Sequence, residues 1–166
     1  RQFAKIGSGA PHLCFGGHTD VVPVGDENAW SSNPFEATEK NGKLYGRGAS
    51  DMKSAIAAFV SAVREYLENN QVKGTISLLI TNDEEGPAIN GTRKVLEEIY
   101  KNGEKIDSCL VGEPTCPNNL GEMIKIGRRG SMTTTIKVSG KQGHVAYPEW
   151  TLNPINPLTS ILNTLC

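Results

Sequence analysis

The segment Ile76-Ser77-Leu78-Leu79-Ile80-Thr81-Asn82-Asp83-Glu84-Glu85-Gly86 joins a run of apolar, β-prone residues to three consecutive carboxylates stopped by a glycine. The run over 75–81 reads as a buried strand, because branched side chains pack well on a pleated surface. Its acidic end is electrostatically awkward. Carboxylates this close repel, and partial burial adds a desolvation penalty on the order of several kcal/mol unless a positive group lies nearby. No lysine or arginine occurs between Thr81 and Gly86. Distant basic residues or a metal ion must supply the compensating charge.

Downstream of this strand, Val95, Leu96, Ile99 and Tyr100 fall at helical spacing and predict a helix over 92–102, closed by Gly103. Ser108–Gly112 follows as a short buried strand. Upstream, Leu13-Cys14-Phe15 reads as another, running into Gly16-Gly17-His18-Thr19-Asp20, and Lys43–Arg47 as a brief one. Between them Ile56, Phe59, Val60, Val63, Tyr66 and Leu67 recur at helical spacing, with Ser50 or Asp51 placed to cap the start. Strands separated by helices define an α/β protein whose sheet is covered on both faces. Further on, the pattern predicts strands over 122–126 and 131–138, the second alternating Met132, Thr134, Ile136 and Val138 on one face, and a helix over 156–166.

The 166 residues carry 17 Lys+Arg against 18 Asp+Glu, a formal charge of −1, with 37% hydrophobic residues. Such a balance suits a globular domain. No basic block marks a nucleic-acid surface, and no apolar run approaches the roughly 20 residues that span a bilayer. Cys14, Cys109, Cys116 and Cys166 show no CxxC spacing. Cys14 and Cys109 sit in strand-like runs as buried small hydrophobes, and a reducing cytoplasm is the expected compartment.

The chemistry-bearing residues share one kind of place. His18 and Asp20 follow the first strand, Asp51 precedes the long helix, Asp83, Glu84 and Glu85 follow the central strand, and Glu113 follows the strand after it. Open α/β sheets bind ligands beyond the carboxyl ends of their strands, where loops converge. Taken singly each residue has a plain structural role: Asp51 as a helix cap, Asp83 as a turn residue, Glu113 as a solvated loop acid. Taken together, one imidazole and several carboxylates without cysteine form a donor set suited to zinc, cobalt or manganese in a hydrolytic site. Asp20 stands two residues after His18, so at the strand period both side chains share a direction and Asp20 can accept the second imidazole N–H.

Four blocks carry a resemblance: Gly17-His18-Thr19-Asp20-Val21-Val22-Pro23, Gly46-Arg47-Gly48-Ala49-Ser50-Asp51-Met52-Lys53, Asp83-Glu84-Glu85-Gly86 and Gly112-Glu113-Pro114. In order and spacing they resemble the signature blocks of the M20 family of di-zinc amidohydrolases and peptidases. The resemblance covers essentially the whole chain. It implies an α/β zinc-hydrolase catalytic domain with a mixed β-sheet flanked by helices over residues 1–127, and the beginning of an α+β lid or dimerisation domain over 128–166. The opening Arg1-Gln2-Phe3, and the apolar pattern Leu158, Ile161, Leu162, Leu165 running to Cys166, are expected for a middle piece of a longer chain.

By the same resemblance two Zn2+ ions are expected, with Co2+ or Mn2+ as substitutes. His18 and Glu113 resemble ligands of one, Glu85 a ligand of the other, and Asp51 the bridging carboxylate, followed by a cis peptide at Asp51–Met52. Glu84 resembles the general base, Asp20 the partner of His18, and His144 the oxyanion donor that the lid of a partner subunit supplies in a homodimer. Arg128 matches a carboxylate-binding arginine, for which a planar bidentate fork is suited. Ser131 and Tyr147 resemble further substrate contacts.

Three more stretches favour family members that release a succinyl group from a small substrate in a bacterial cytoplasm: Trp30-Ser31-Ser32-Asn33-Pro34-Phe35, Gly127-Arg128-Arg129-Gly130-Ser131 and Gly140-Lys141-Gln142-Gly143-His144-Val145-Ala146-Tyr147-Pro148. An N-acetyl substrate is the competing expectation, and Arg128 weighs against it because an acetyl group has no distal carboxylate. A non-catalytic binding module is another, and Glu84 weighs against that, because binding alone needs no general base. The family's second zinc also takes a histidine from near the C-terminal end. Only His12, His18 and His144 are present, so this stretch is expected to leave that site incomplete.

Overall fold

The computed structural model describes residues 2–127, 130 and 132–165, in two compact units spanning 1–124 and 125–166. The strands are β1 (Gln2–Ser8), β2 (His12–His18), β3 (Thr38–Lys40), β4 (Lys43–Tyr45), β5 (Gly74–Thr81) and β6 (Ser108–Val111), and the helices of the first unit are α1 (Ser54–Asn69) and α2 (Thr92–Lys101). The main sheet runs β1-β5-β2-β6, and β3 pairs with β4 as a separate ribbon. β5 runs parallel to β2, β2 parallel to β6, and β1 antiparallel to β5. The architecture is a mixed α/β sheet flanked by helices. β1 is an addition to the elements expected from the sequence.

Alternation along β5 explains how it serves two helices. Thr75, Ser77, Leu79 and Thr81 are buried, and the intervening residues are half-buried. Val95 and Ile99 of α2 close over Leu79 and Cys14, with Phe3, Leu96 and Ile106 at the margin of this core. On the opposite face Phe59 of α1 stacks on Phe15 of β2, ring centroids 4.4 Å apart. α2 ends as its glycine signal implies: Gly103 adopts φ +80° and its N–H bonds back to Tyr100 O at 3.0 Å.

Several expectations need correction. α1 starts at Ser54, with Lys53 at its cap position and no side-chain cap; Asp51 instead has an extended backbone, φ −121° and ψ 99°. Along α1 the residues Ile56, Phe59 and Val63 are half-buried, while Val60, Tyr66 and Leu67 are exposed. The apolar arc of the helix is wider than the sheet surface beneath it. β6 is exposed along its length, Cys109 included, because it is the outermost strand of the sheet. Cys14 is buried, and Cys14, Cys109 and Cys116 are free thiols.

The second unit contains the helix α3 (Ile155–Leu165), a short 3-10 turn at Pro148–Trp150 and a single bridge between Lys141 and Leu152. Residues 122–126 and 132–138 form no strand, and Ser131 lies outside the described residues. Alternation supplies a face for a sheet, but a strand also needs a partner for its N–H and C=O groups, and none pairs with these stretches among the described residues. No helix of the described residues is long and apolar enough to cross a membrane.

Truncating the α2 anchor should test this packing. Ile99→Ala is expected to destabilise the first unit by about 2–4 kcal/mol in denaturant unfolding, whereas Tyr100→Ala, on the exposed side, should stay within about 1 kcal/mol.

Candidate metal centre

Parallel pairing brings the ends of β2, β5 and β6 to one edge of the sheet. His18 stands opposite Thr81 in the register, and Thr19 N–H donates to Thr81 O at 2.9 Å, so the pairing continues one residue past β2. Gly112 N–H donates to Gly16 O at 3.3 Å and aligns the end of β6. The loops carrying Asp20, Glu84, Glu85 and Glu113 therefore leave the sheet side by side.

Asp51 arrives from a different direction, on the irregular turn that precedes α1. Its neighbour Met52 is fully buried. A Cβ built at Gly17 would stand 3.0 Å from Met52 Cε; one at Gly112 would meet Phe15 Cζ at 2.5 Å and Ala55 Cβ at 2.9 Å. Both glycines are thus required by close approach of the turn to the strand ends. The Asp51–Met52 peptide is cis, as the resemblance implies. Sequence reasoning missed Met52, although an apolar residue between Asp51 and Lys53 was a signal. It also gave no role to Arg47, whose Nη2 donates to Pro23 O at 3.1 Å while its guanidinium lies 5.1 Å from the Trp30 ring centre.

His18, almost completely buried, is the hub. Its Nε2 lies 2.9 Å from Asp51 Oδ1, 3.5 Å from Glu113 Oε1 and 3.9 Å from Glu84 Oε2. Two groups of donor atoms within 4.8 Å of one another result: His18, Asp51 and Glu113, and His18, Glu84 and Glu85. His18 is common to both. No lysine or arginine of the described residues pairs with these carboxylates; the described ion pairs of those residue types lie at Lys5–Glu104, Arg93–Glu97 and Lys105–Asp107.

The imidazole tautomer follows from its partners. Nδ1 lies 2.9 Å from the backbone carbonyl of Asp20, which can only accept, so Nδ1 carries the proton. In the neutral ring the Nε2 lone pair then faces an Asp51 oxygen at hydrogen-bond distance. Two acceptors repel there unless the ring takes a second proton or a cation lies among them. Burial acts to lower the His18 pKa, yet the Asp20 carbonyl, the Asp51 carboxylate and the charges of Glu113 and Glu84 together hold it above the ordinary value. Burial raises the Glu113 pKa, and the charges of Asp51 and Glu84 add to the effect against the opposing pull of His18. The cluster calls for more positive charge than its own residues provide when fully ionised.

A divalent cation fits this donor set. One imidazole nitrogen and four carboxylates are the ligand types that zinc, cobalt and manganese accept. Separations of 2.9, 3.5 and 3.9 Å from Nε2 bracket the spacing of about 3.3 Å expected between ligands of a tetrahedral centre with bonds near 2.0 Å.

The Asp20 side chain does not occupy the place expected for it. Its Oδ1 is 3.5 Å from His18 Nδ1, and Oδ2 accepts from the N–H groups of Glu84 and Glu85, each at 2.9 Å. The strand ends at His18, so the period-two argument fails one residue later. Asp83 is a turn residue, its Oδ2 accepting from Asn90 N–H at 2.7 Å. His12 opens β2, far along the strand from His18, and is buried between Lys105 O and Ser77 Oγ at 2.9 and 2.8 Å. In the second unit His144 Nδ1 accepts from Ala146 N–H at 3.1 Å, leaving Nε2 as the donor of the neutral ring, and the Tyr147 ring lies 5.9 Å away. Arg128 and Ser131 fall outside the described residues.

A mixed sheet with a carboxylate–imidazole cluster at its strand ends is the frame of a metal-dependent hydrolase. The model of peptidase family M20/M25/M40 matches residues 14–165, and the chain belongs to this family. It is 58% identical over 163 residues to a succinyl-diaminopimelate desuccinylase of Parvibaculum lavamentivorans, covering 98% of this chain and 41% of that protein. Identity to the enzyme of the same name from Rhodospirillum centenum is 56% over 164 residues, covering 98% and 42%. The chain thus spans about two fifths of the length of these relatives. Among solved structures it is similar to an M20 family metallo-carboxypeptidase from Sulfolobus solfataricus (TM-score 0.59, 32% identity, 66% of this chain and 25% of that one). Human carnosine dipeptidase 1 is also similar (TM-score 0.58, 30% identity, 68% and 25%).

The raised values make a pH prediction for the metal-free chain. His18 and Glu113 both bind protons more readily folded than unfolded, so each contributes stability below its unfolded pKa that is lost as pH rises through its folded one. The thermal midpoint in the presence of a chelator is expected to fall as pH is raised from about 5 to about 8, and Glu113→Gln should flatten the lower part of that slope. A slope unaffected by Glu113→Gln would remove Glu113 as its source.

Proposed function

We infer that this chain carries the principal metal-binding carboxylates and the general base of a succinyl-diaminopimelate desuccinylase, an enzyme that hydrolyses the succinyl amide of N-succinyl-diaminopimelate to succinate and diaminopimelate in the bacterial cytoplasm. The observation that carries this reading is the convergence of Asp51, Glu84 and Glu113 on His18 Nε2 in a chain 58% identical to an enzyme of that name. His18 and Glu113 would hold one zinc ion and Glu85 the other, with Asp51 shared between them. Bound there, the metal supplies Lewis acidity toward the amide carbonyl and the attacking water.

The remaining steps belong to the chain's residues. Glu84 reaches into the cluster with a half-exposed carboxylate, open to water on one side. It takes the proton of the attacking water as the new C–O bond forms, and returns it to the nitrogen as the C–N bond breaks. Residues 128–166 are read as the start of the lid. His144, its Nδ1 occupied by the Ala146 amide, offers Nε2–H to the developing oxyanion of a second subunit. Arg128, Ser131 and Tyr147 would bind the substrate's carboxylates and polar groups.

Glu84→Gln, made in a chain of the relatives' full length, is expected to lower turnover by at least about two orders of magnitude with zinc content unchanged. Loss of zinc instead would exchange the roles of base and ligand between Glu84 and Glu85. Asp51→Ala should reduce occupancy at both sites by metal analysis; loss of one equivalent from a fully loaded enzyme would remove the bridge. Mixing His144→Ala with Glu84→Ala subunits should restore activity toward about one quarter of wild type if His144 acts across a dimer. No recovery under confirmed subunit exchange would mean that His144 acts within its own chain or not at all.

A further inference from the structure

Asp20 adds a fifth carboxylate to the edge of an already acidic cluster, and its carboxylate stands 3.5 Å from the imidazole beside it without taking the ring N–H. The His18 Nδ1–H is taken by the Asp20 backbone carbonyl at 2.9 Å; carboxylate Oδ1 stands 3.5 Å from that nitrogen, outside hydrogen-bond range for a buried pair, and has no other partner. Oδ2 accepts two hydrogen bonds, from the backbone N–H groups of Glu84 and Glu85, both at 2.9 Å. These donors lie 64 and 65 residues further along the chain. The segment between β5 and α2 has no regular structure to hold it, and Asp83 ties it only to itself through Asn90. Two amides on one carboxylate oxygen fix the direction in which consecutive side chains leave the backbone.

We propose that Asp20 is a positioning residue for the Glu84–Glu85 pair: its carboxylate holds their two amides and so sets where both glutamates project, while its backbone carbonyl takes the His18 Nδ1–H. The catalytic meaning of this anchor rests on the metal-hydrolase reading; its test does not. One residue thereby serves both donor groups, the His18 ring through its carbonyl and the two glutamates through its carboxylate. Replacing the carboxylate by a carboxamide keeps an acceptor oxygen for the two amides but removes the charge. A role exerted through the charge on His18 would not survive that change, whereas an anchor does.

The experiment uses the metal-free chain, isotope-labelled for NMR, with amide hydrogen exchange at Glu84 and Glu85 and the nitrogen shifts of the His18 ring as readouts. Asp20→Ala is expected to speed exchange at these two amides by about tenfold or more while Leu79 in β5 stays protected. Asp20→Asn should keep them within about threefold of wild type, and the His18 proton should remain on Nδ1 in both variants. Unchanged exchange in Asp20→Ala, or a His18 proton moved to Nε2, overturns the proposal. If Asp20→Ala unfolds the chain, shown by lost protection at Leu79, Asp20→Asn decides: unprotected Glu84 and Glu85 amides with Leu79 intact also overturn it. Titration of the wild-type chain with Zn2+ tests the metal reading separately. Absence of uptake would sink that reading and leave the exchange result standing.

Discussion

Parallel pairing of β2 with its neighbours β5 and β6 is the constraint from which the rest follows. Parallel strands end at the same edge, so whatever residues follow them must share space there. In this chain those residues are His18, the Glu84–Glu85 pair and Glu113, and the register placing His18 opposite Thr81 leaves a ligand atom of each glutamate within 4.8 Å of one on His18. The helices matter to the site chiefly because they hold this register. α2 covers Cys14 and Leu79, and α1 covers Phe15 through Phe59, so β2 and β5 cannot slip without exposing one face and burying polar groups on the other.

The acidic edge is an electrostatic problem solved in two ways. Part of the negative charge is met by backbone N–H groups: Asp20 accepts from Glu84 and Glu85, and Asp83 from Asn90. The rest gathers around His18 Nε2, where, against burial, the Asp20 carbonyl and the neighbouring carboxylates push the His18 pKa up, and burial with the charges of Asp51 and Glu84 does the same for Glu113. A divalent cation would relieve the same repulsion with less reorganisation, since donor atoms already stand at nearly the right separations. Met52 makes the arrangement compact by filling the space between Gly17 and Gly112, which have no side chains to oppose it.

Much of this was legible in the sequence, and the failures have identifiable causes. β5 was readable from its apolar run and α2 from its helical period, and Leu79 of the one meets Val95 and Ile99 of the other in the core. β1 was not, because Gln2–Ser8 places only Phe3, Ala4 and Ile6 among polar residues, and its stability comes from pairing with a strand far away in sequence. The alternating stretch at 131–138 reads as a strand by its period of two, yet pattern alone cannot provide a hydrogen-bonding partner. The positions of His18, Asp51, Glu84 and Glu113 at strand ends were visible, since ends of apolar runs are easy to locate. The direction of the Asp20 carboxylate was not: it depends on where β2 stops, and a strand boundary is set by pairing rather than by local side chains.

The strand order has a kinetic consequence. β1 and β2 are consecutive along the chain yet do not pair; β5 is inserted between them, paired with Gln2 through Ser8 on one side and His12 through His18 on the other. Neither early strand can be satisfied until a segment more than fifty residues later has arrived, so the loop-closure entropy is met before the contacts that reward it. Only at that step do His18 and the Glu84–Glu85 loop become neighbours. Short peptides spanning any one acidic block should therefore show no preformed ligand cage, and cation capture would mark the late stage of assembly, when the central strand has taken its place.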